Sequence, residues 1–474
     1  MDGDITFLAI ILGISGLVWA GILYLRGGLL GGLLAVMLAG VCFSVPFFKL
    51  PLGALPLTVD RVLLVVLVGQ YILFRRWGLA DPKPVGKPEI VLGLFTAWMV
   101  VSTFRGDWTA SDYQPVSWLI IYYLMPFAVY WIARQTPMNE RSGLAILACL
   151  SLFGVYLAAT ALAEYFQAWS LVFPRYIVTT ASENKLEFIG RGRGPLLTPI
   201  GNGILLTICL GATLMWWPRL GRPRQLLLVP VVTLILAGLY VSLTRSVWMS
   251  GLLAIALCVG LPMPRNWRWP VLGGGLLVAV VLAATQWENL VTFKRDRNLS
   301  AEQTADSVYL RPVLARLSWN MFLDHPLFGC GYTQYKIEHL DYTADRSTDL
   351  PLAKGRGYIP HNVVFSLLTE TGLVGLGLFL AAVAMWGLDA WRLWRTQSAR
   401  LWNRQIGLLF LVALGAYFVN GMFHDASAVP MANMTLFFLA GVTAALRPMR
   451  QASPATAAAA STAAFLPASP RPSA

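Results

Sequence analysis

The feature that most constrains this chain is its series of apolar stretches, each about 20 residues long. A helix needs roughly 20 apolar residues to cross the hydrocarbon core of a bilayer, and in lipid each segment must satisfy its own backbone hydrogen bonds. Hydrophobic residues make up 57% of the 474 residues and charged residues only 12%. A soluble domain carries roughly twice that share of charge. The chain is therefore predicted to be an all-α polytopic membrane helix bundle.

Hydropathy predicts thirteen spans, which gives a bundle of about 12 to 13 transmembrane helices. The two spans that meet near Thr244 are the least distinct, because a short break there is also typical of a kink in one longer helix. The first span is expected to be retained, since residues 1–4 lack the basic start of a signal peptide. The predicted spans are 5–25, 28–48, 57–74, 89–104, 116–134, 143–166, 196–217, 225–243, 246–263, 270–286, 361–390, 405–423 and 430–446.

Charge gives the orientation of these spans. The net charge is +13, but the basic residues fall mostly in short alternate connections, which is the positive-inside pattern and not a nucleic-acid stripe. The C-terminus is therefore predicted inside, and the connections 167–195 and 286–360 outside. Residues 447–474 are Ala/Ser/Pro-rich and are predicted to be a disordered cytoplasmic tail. The five cysteines show neither disulfide nor zinc spacing.

Four arginines on the predicted outer side are candidates for anion binding. Arg191 and Arg193 stand in Arg-Gly-Arg-Gly-Pro before a predicted helix start, which suits a phosphate or diphosphate; the alternative is an anchor in the lipid headgroups. Arg245 lies between two short spans, where a charge usually faces a polar cavity; the alternative is a turn residue at the interface. Arg311 opens the amphipathic stretch 311–324, which either lies along the membrane surface or packs on the bundle.

His361 is the candidate general base. It stands at the predicted start of a membrane helix, where the helix dipole disfavours imidazolium and leaves a neutral, basic imidazole; the alternative is a capping or anchoring role. Glu370 lies nine residues further on, half a turn away around the helix, so we expect it to pair with another segment. His325, in a turn rich in Pro and Gly, is predicted to be a turn residue rather than a catalyst.

Together these residues indicate diphosphate binding plus one base. That pair is expected of an enzyme that transfers a group from a lipid-diphosphate donor, because arginines stabilise the departing diphosphate while the histidine deprotonates the acceptor hydroxyl. Neither a metal cluster nor a phosphate-binding glycine loop is found in the sequence. We therefore predict no cofactor and no metal ligands.

These pieces resemble the O-antigen ligase and O-antigen polymerase superfamily. The matching pieces are Ser-Leu-Thr-Arg245-Ser, then Arg311 followed thirteen residues later by Asp-His-Pro-Leu-Phe-Gly-Cys-Gly, then His361-Asn-Val-Val-Phe-Ser-Leu-Leu-Thr-Glu370-Thr-Gly. The resemblance runs from about Arg191 to Phe379. It departs from the family in the extra span and in Thr-Arg-Ser where Ser-Arg-Gly is usual.

The resemblance implies a GT-C-like membrane glycosyltransferase of the bacterial inner membrane. It would take a glycan from a polyprenyl (undecaprenyl) diphosphate donor and pass it to a hydroxyl acceptor on the periplasmic side. Its mechanism would be metal-independent, with His361 as base. Arg193, Arg245 and Arg311 would lie near the diphosphate, and either Arg191 or Arg193 would match the family arginine. Asn362 and Glu370 would support the site. The implied organisation is helices at 1–190, a catalytic region at 191–446 and the tail at 447–474.

Several alternatives stay open at this point. The acceptor is a lipid A core, a protein hydroxyl or another glycan chain, and the last of these would make the protein a polymerase. The single long loop late in the chain favours a ligase. A transporter for a small anion or a lipid-linked glycan would use the same arginines without a base, and a structural assembly partner would need neither. Membrane lipids are expected partners in every case, and nucleic acid in none.

Overall fold

The apolar runs form helices in the computed structural model. It describes residues 21, 26–50, 55–109, 114–182, 188, 190–286, 301–396 and 398–447. Within these ranges the chain is 75% helical and forms no β-strand, which confirms the all-α membrane bundle. The helices are α1 (Arg26–Cys42), α2 (Val59–Arg76), α3 (Lys87–Arg105), α4 (Pro115–Arg134), α5 (Glu140–Tyr165), α6 (Tyr176–Ser182), α7 (Pro199–Leu214), α8 (Arg222–Val241), α9 (Arg245–Gly260), α10 (Arg265–Thr285), α11 (Ala301–Asp324), α12 (Tyr335–Tyr342), α13 (Val363–Arg395), α14 (Leu401–Gly421) and α15 (Pro430–Ala445).

Each predicted span between residues 28 and 446 coincides with a helix. By length and composition, six helices in the described part of the chain can cross a membrane: α4, α5, α7 with its short extension to Arg219, α8, α13 and α14. Helices α1, α9 and α15 are apolar but shorter. The predicted span at 5–25 lies outside the described residues apart from residue 21, and so does the predicted tail from 448 onward.

The centre of the bundle is formed by helices that are apolar on every side. Helix α15 is buried along its whole length and packs most closely on the second half of α4. Gly441 makes this approach possible, because a Cβ added there would lie 2.5 Å from the backbone oxygen of Tyr130. Small residues let membrane helices approach in this way. Helix α8, in contrast, borders the bundle and buries little of its surface.

A buried ion cluster ties three helices together at the predicted cytoplasmic side. Glu89 on α3 lies 3.1 Å from the Nε of Arg134 on α4 and 3.0 Å from a guanidinium nitrogen of Arg447, just after α15. The hydroxyl of Tyr130 donates to the same carboxylate at 2.7 Å. Because a buried carboxylate is stable only with such partners, this cluster fixes the end of the bundle that is remote from His361 in the predicted topology.

The long connection predicted at 286–360 contains two helices, α11 and α12, although its first residues, 287–300, lie outside the described ranges. Helix α11 packs against α13, so of the two alternatives for the stretch 311–324, packing on the bundle is the one observed. Its buried residues Val313, Leu314 and Leu317 pack with Leu352 of the same connection in a small cluster of their own. Trp319 and Leu323 stay exposed, so they do not form the packed face.

Helix α13 is broken at Gly372, where φ is +68°. The turn after α11 inserts into this break: the backbone N–H of Leu373 donates to the Pro326 oxygen at 2.9 Å, and the N–H of Gly331 donates to the Glu370 oxygen at 3.0 Å. A Cβ on Gly329 would lie 2.3 Å from the backbone carbon of Glu370. The Pro- and Gly-rich motif that ends in Gly331 therefore docks the loop onto the helix that begins beside His361.

Candidate active site

Two cavities flank the start of α13, and Pro360 lines both. The first, which we call the histidine cavity, has a volume of about 110 Å³. Arg311 reaches it from α11 and His361 from the residue before the cap of α13, so two candidate residues that stand fifty positions apart in the sequence meet in one space. The remaining lining residues are Leu314, Ala315, Ser318, Pro360, Asn362, Phe365 and Met422.

Asn362 fixes the position of His361. It is the N-cap of α13, and its side-chain oxygen accepts hydrogen bonds from the N–H groups of Val364 at 2.8 Å and Phe365 at 3.2 Å. Its amide nitrogen donates to the Met422 oxygen at 3.1 Å. An asparagine at this position satisfies N–H groups that have no partner within the helix. Asn362 thus ties the helix start to the end of α14 and holds His361 one residue outside the helix.

The surroundings of His361 favour its neutral form. Burial lowers the pKa of His361 below its usual value, and the positive charge of Arg311 lowers it further. The direction is the one that the sequence predicts, but the causes are burial and a neighbouring charge, whereas the sequence argument relied on the helix dipole. A neutral imidazole at physiological pH can accept a proton.

Aromatic rings lie next to Arg311 and His361. The guanidinium of Arg311 lies 5.6 Å from the ring centre of Phe423, a distance typical of a cation–π contact. The ring centres of His361 and His424 are 6.0 Å apart, and those of His361 and Tyr358 are 6.4 Å apart. His424 was missed by the sequence analysis. It lies in the short connection after α14, and only the fold brings it next to His361.

Arg245 is the first residue of α9 and is half-buried. The break before it is a true turn between two helices, not a kink in one. Arg191 holds this turn: its Nε donates to the Ser242 oxygen at 3.0 Å, and its terminal nitrogen donates to the hydroxyl of Thr244. The structure therefore brings Arg191 and Arg245 to one turn, with Arg191 bonded to the backbone that places Arg245.

Arg193 is engaged with a carboxylate that the sequence analysis did not single out. Its Nε lies 3.2 Å from an oxygen of Glu164 on α5, and both side chains are almost fully buried. The N–H groups of Arg193 and Gly194 donate to the other oxygen of Glu164, at 2.8 and 2.6 Å. The signal was available, because an ionisable residue at the end of an apolar span needs a partner. Arg191, Arg193 and Arg245 are not among the described residues that line the histidine cavity.

Glu370 lines the second cavity, which we call the carboxylate cavity and which has a volume of about 40 Å³. Its carboxylate accepts hydrogen bonds from the backbone N–H groups of Thr333 and Tyr335 at the start of α12, so its partner is another segment, as expected. Asp425 lines the same cavity, accepting from the Ser427 N–H at 3.0 Å and from the Ser366 hydroxyl. Burial raises the pKa of Asp425 above its usual value.

His325, in the turn after α11, lies apart from both cavities among the described residues. Its side chain is half-exposed, and its Nε2 is 3.9 Å from an oxygen of Glu338. The backbone of its turn docks on the break in α13, as described above. These positions agree with the turn role predicted for His325.

The histidine cavity therefore joins a proton acceptor to an anion-binding group. A neutral imidazole can take the proton of a hydroxyl, and a guanidinium beside it can stabilise negative charge on phosphate oxygens. Two carboxylates lie in the adjacent cavity. Transfer of a group from a phosphate or diphosphate to a hydroxyl fits this arrangement.

Comparison with known proteins agrees with the resemblance drawn from the motifs. Residues 229–380, about a third of the chain, match the protein family described as O-antigen ligase. The match contains Arg245, Arg311 and His361, whereas Arg191 and Arg193 precede it. A search of curated proteins found no match to the chain. The match suggests a membrane protein with a function in glycan transfer.

Proposed function

We propose that this chain is a glycosyltransferase of the O-antigen ligase type, which moves a glycan from a polyprenyl diphosphate to a hydroxyl acceptor at the periplasmic face of the bacterial inner membrane. One observation carries the proposal: Arg311 and His361 line the same cavity at the start of α13. Both residues lie within the region that matches O-antigen ligases. A guanidinium beside a neutral imidazole supplies the two functions that this transfer needs.

The reaction would proceed by direct displacement at the sugar. The imidazole of His361 takes the proton of the acceptor hydroxyl, and the acceptor oxygen forms a bond to the anomeric carbon. The bond between that carbon and the phosphate oxygen breaks, and its electron pair leaves with the polyprenyl diphosphate. Arg311 stabilises the negative charge that develops on the leaving oxygen, and stabilisation of this kind supplies much of the rate enhancement in many enzymes.

The other three arginines have different roles in this proposal. Arg245, half-buried at the start of α9, is the second candidate for a diphosphate ligand, because the helix start adds its own N–H groups. Arg191 and Arg193 already donate to protein oxygens. They add positive charge near the donor and, through the turn at Ser242 and the ion pair with Glu164, act as positioning residues.

The test is reconstitution of the purified full chain in liposomes with a polyprenyl-diphosphate oligosaccharide and a panel of acceptors: a lipid A core, a serine-containing peptide and a free glycan. Mass spectrometry identifies the product. We expect one glycan unit on the lipid A core for a ligase and a ladder on the glycan for a polymerase. We expect EDTA to leave the rate unchanged, and His361→Ala to slow transfer by about 10²- to 10⁴-fold while the protein still inserts.

Two outcomes would count against the proposal. Transfer by His361→Ala at the wild-type rate would contradict the role of the histidine. If the wild type moves the lipid-linked oligosaccharide across the bilayer without joining it to any acceptor, the protein is a transporter and the enzyme assignment is wrong. Transport and transfer can be separated with a soluble lectin that is added outside the liposomes. The lectin binds only the oligosaccharide in the outer leaflet and so measures its movement across the bilayer.

A further inference from the structure

The carboxylate cavity is not used by the reaction just described, although it adjoins the histidine cavity at Pro360. Its charged groups come from three separate elements: Glu370 from α13, Lys336 from α12 and Asp425 from the connection after α14. Thr333, in the turn before α12, is among its uncharged polar residues. Its apolar walls include the side chain of Trp118. The mixture of aromatic surface with a few placed polar groups is typical of a small-molecule site.

The buried hydroxyl of Thr333 is the feature that points to a ligand. Its side chain is more than nine-tenths buried, lines the cavity, and has a hydroxyl with no hydrogen-bond partner among the described residues. A buried hydroxyl without a partner costs free energy. A ligand hydroxyl in the cavity would supply the missing bond.

The chemistry of the two carboxylates narrows the ligand class. Glu370 accepts from the backbone N–H groups of Thr333 and Tyr335, and Asp425 accepts from Ser366 and Ser427. Both carboxyl groups thus already accept hydrogen bonds from the protein, and Lys336 also lines the cavity, which disfavours a metal cation. Two carboxylates equally disfavour a phosphate. A carboxylate keeps further lone pairs for neutral donors, so a ligand with several hydroxyl groups fits best.

We propose that the carboxylate cavity is a sugar subsite, in which Glu370 and Asp425 accept hydrogen bonds from the hydroxyls of one pyranose ring and Thr333 and Lys336 bond its other oxygens. The volume of about 40 Å³ holds roughly three water molecules at ~10–15 Å³ each. It therefore takes the hydroxyl edge of a ring and leaves the rest of the ring beside Trp118. This proposal rests on the proposed function. Because Pro360 lines both cavities, a sugar bound in the subsite would lie next to the base, His361.

The ring of Trp118 suits the opposite face of such a ligand. The ammonium of Lys336 lies 5.4 Å from the centre of the Trp118 ring, so the aromatic face and the amine reach the same space. The face of an aromatic ring is negative and favours contact with C–H groups. The C–H groups of a pyranose can lie on this ring while its hydroxyls reach the carboxylates.

Binding of free sugars tests the subsite separately from transfer. The purified wild-type protein in detergent is mixed with a panel of methyl pyranosides, and saturation-transfer NMR measures binding. We expect at least one pyranoside to bind in the millimolar range. Thr333→Val, which keeps the side-chain shape and removes the hydroxyl, should weaken binding by about 2- to 10-fold, the value of one neutral hydrogen bond. Lys336→Met should weaken it by about 10-fold or more, because its bond is charged.

The controls separate this proposal from the proposed function. Thr443→Val removes a buried hydroxyl on α15 that bonds its own helix and should leave sugar binding unchanged. His361→Ala should retain sugar binding while transfer slows by about 10²- to 10⁴-fold. If His361→Ala still transfers but Thr333→Val loses binding, the subsite stands and the reaction assignment falls. If no pyranoside binds the wild type, or if neither Thr333→Val nor Lys336→Met weakens binding, the subsite is wrong.

Kinetics then identify whose sugar occupies the subsite. In the transfer assay, a higher KM for the polyprenyl-diphosphate glycan in Thr333→Val assigns the subsite to the donor. A higher KM for the acceptor assigns it to the acceptor. Unchanged KM values for both substrates would overturn the proposal. Because Lys336 is half-buried and its replacement leaves the backbone bonds of Glu370 intact, Lys336→Met keeps the test valid if Thr333→Val fails to fold.

Discussion

Two groups of arginines, all predicted from sequence to bind a diphosphate, lie in different surroundings. Arg193 is buried in an ion pair with Glu164, and Arg191 donates to the turn that precedes α9. Arg311 instead lines a cavity with His361. The sequence patterns around these residues look alike, since each marks a charge on the outer side of an apolar chain. What separates them is their place: the guanidinium of Arg311 lines a cavity beside a base, whereas Arg191 and Arg193 are not among the described residues that line it.

Substitutions in the two groups of arginines should therefore have different effects. Substitution of Arg191 or Arg193 should mainly lower the stability of the protein, because it breaks buried bonds between separate segments. Changes at Arg311 and His361 should appear mainly in the rate of transfer, because both residues line the cavity in which the reaction would take place. The experiments below test this division, from the largest effect to the smallest.

His361→Ala should give the largest loss. Removal of a general base lowers the transfer rate by about 10²- to 10⁴-fold, with little change in the melting temperature. The matched control is His325→Ala, which alters a half-exposed histidine outside both cavities and should change the rate by less than about twofold. Single-turnover transfer in liposomes measures both. Equal losses of transfer rate in His361→Ala and His325→Ala would contradict the role of His361 as the base.

Glu164→Ala should give the largest loss of stability. It leaves the guanidinium of Arg193 buried without its carboxylate, and loss of one partner of a buried pair costs about 3–5 kcal/mol. The control is Glu140→Ala, because Glu140 pairs with Arg219 at a half-exposed position and such pairs contribute at most about 1 kcal/mol. Thermal unfolding in detergent compares the two. If Glu164→Ala has the same melting temperature as Glu140→Ala but loses transfer activity, Arg193 belongs to the reacting site instead.

Arg311→Met should lower the rate by about 10²- to 10³-fold, as expected for loss of one group that stabilises developing charge. It should also shift the pH dependence. His361 is active when neutral, so the rate falls as the pH drops through its pKa, which burial and Arg311 hold below the usual value of about 6.5. Without the charge of Arg311 that pKa rises, and the acid limb of the profile moves to higher pH.

Two variants control for this shift. Arg311→Lys keeps the positive charge and should keep most of the low pKa. Arg316→Met removes a charge from the same helix at a position that does not line the histidine cavity, and should leave the profile in place. An acid limb that stays fixed in Arg311→Met would contradict the electrostatic link between Arg311 and His361.

Asn362→Ala should give the smallest effect. It removes the cap of α13, which costs about 0.5–2 kcal/mol of stability, and it loosens the residue next to His361. Asn362→Asp keeps the oxygen that accepts from Val364 and Phe365 and should recover most of the melting temperature. The test is whether transfer recovers in parallel. A full rate in Asn362→Ala would show that the cap does not position the histidine.

The helices were predictable because hydropathy over some 20 residues depends only on local sequence. The predicted span 225–243, for example, corresponds to α8, and the predicted start of the helix beside His361 lies within two residues of the observed one. The break in α13 was not predicted. Gly372 resembles a packing glycine in the sequence, and its positive φ depends on a turn that begins more than forty residues earlier.

The site was predictable only in part, for a related physical reason. His361 and Arg311 stand out because a charged or basic group is costly next to lipid. Their meeting in one cavity, the approach of His424 and the pairing of Arg193 with Glu164 depend on contacts between distant segments. Asp425 lies between two apolar spans, but its place beside Glu370 follows only from the return of the chain after α14.

The most direct test of one shared site is the double variant Arg311→Met/His361→Ala, measured beside each single variant in the single-turnover transfer assay. If both residues act on the same transition state, their effects are strongly non-additive. We therefore predict that the double variant is about as slow as the slower single variant. A double variant whose rate loss equals the product of the two single losses would mean that Arg311 and His361 act independently, and would contradict the account.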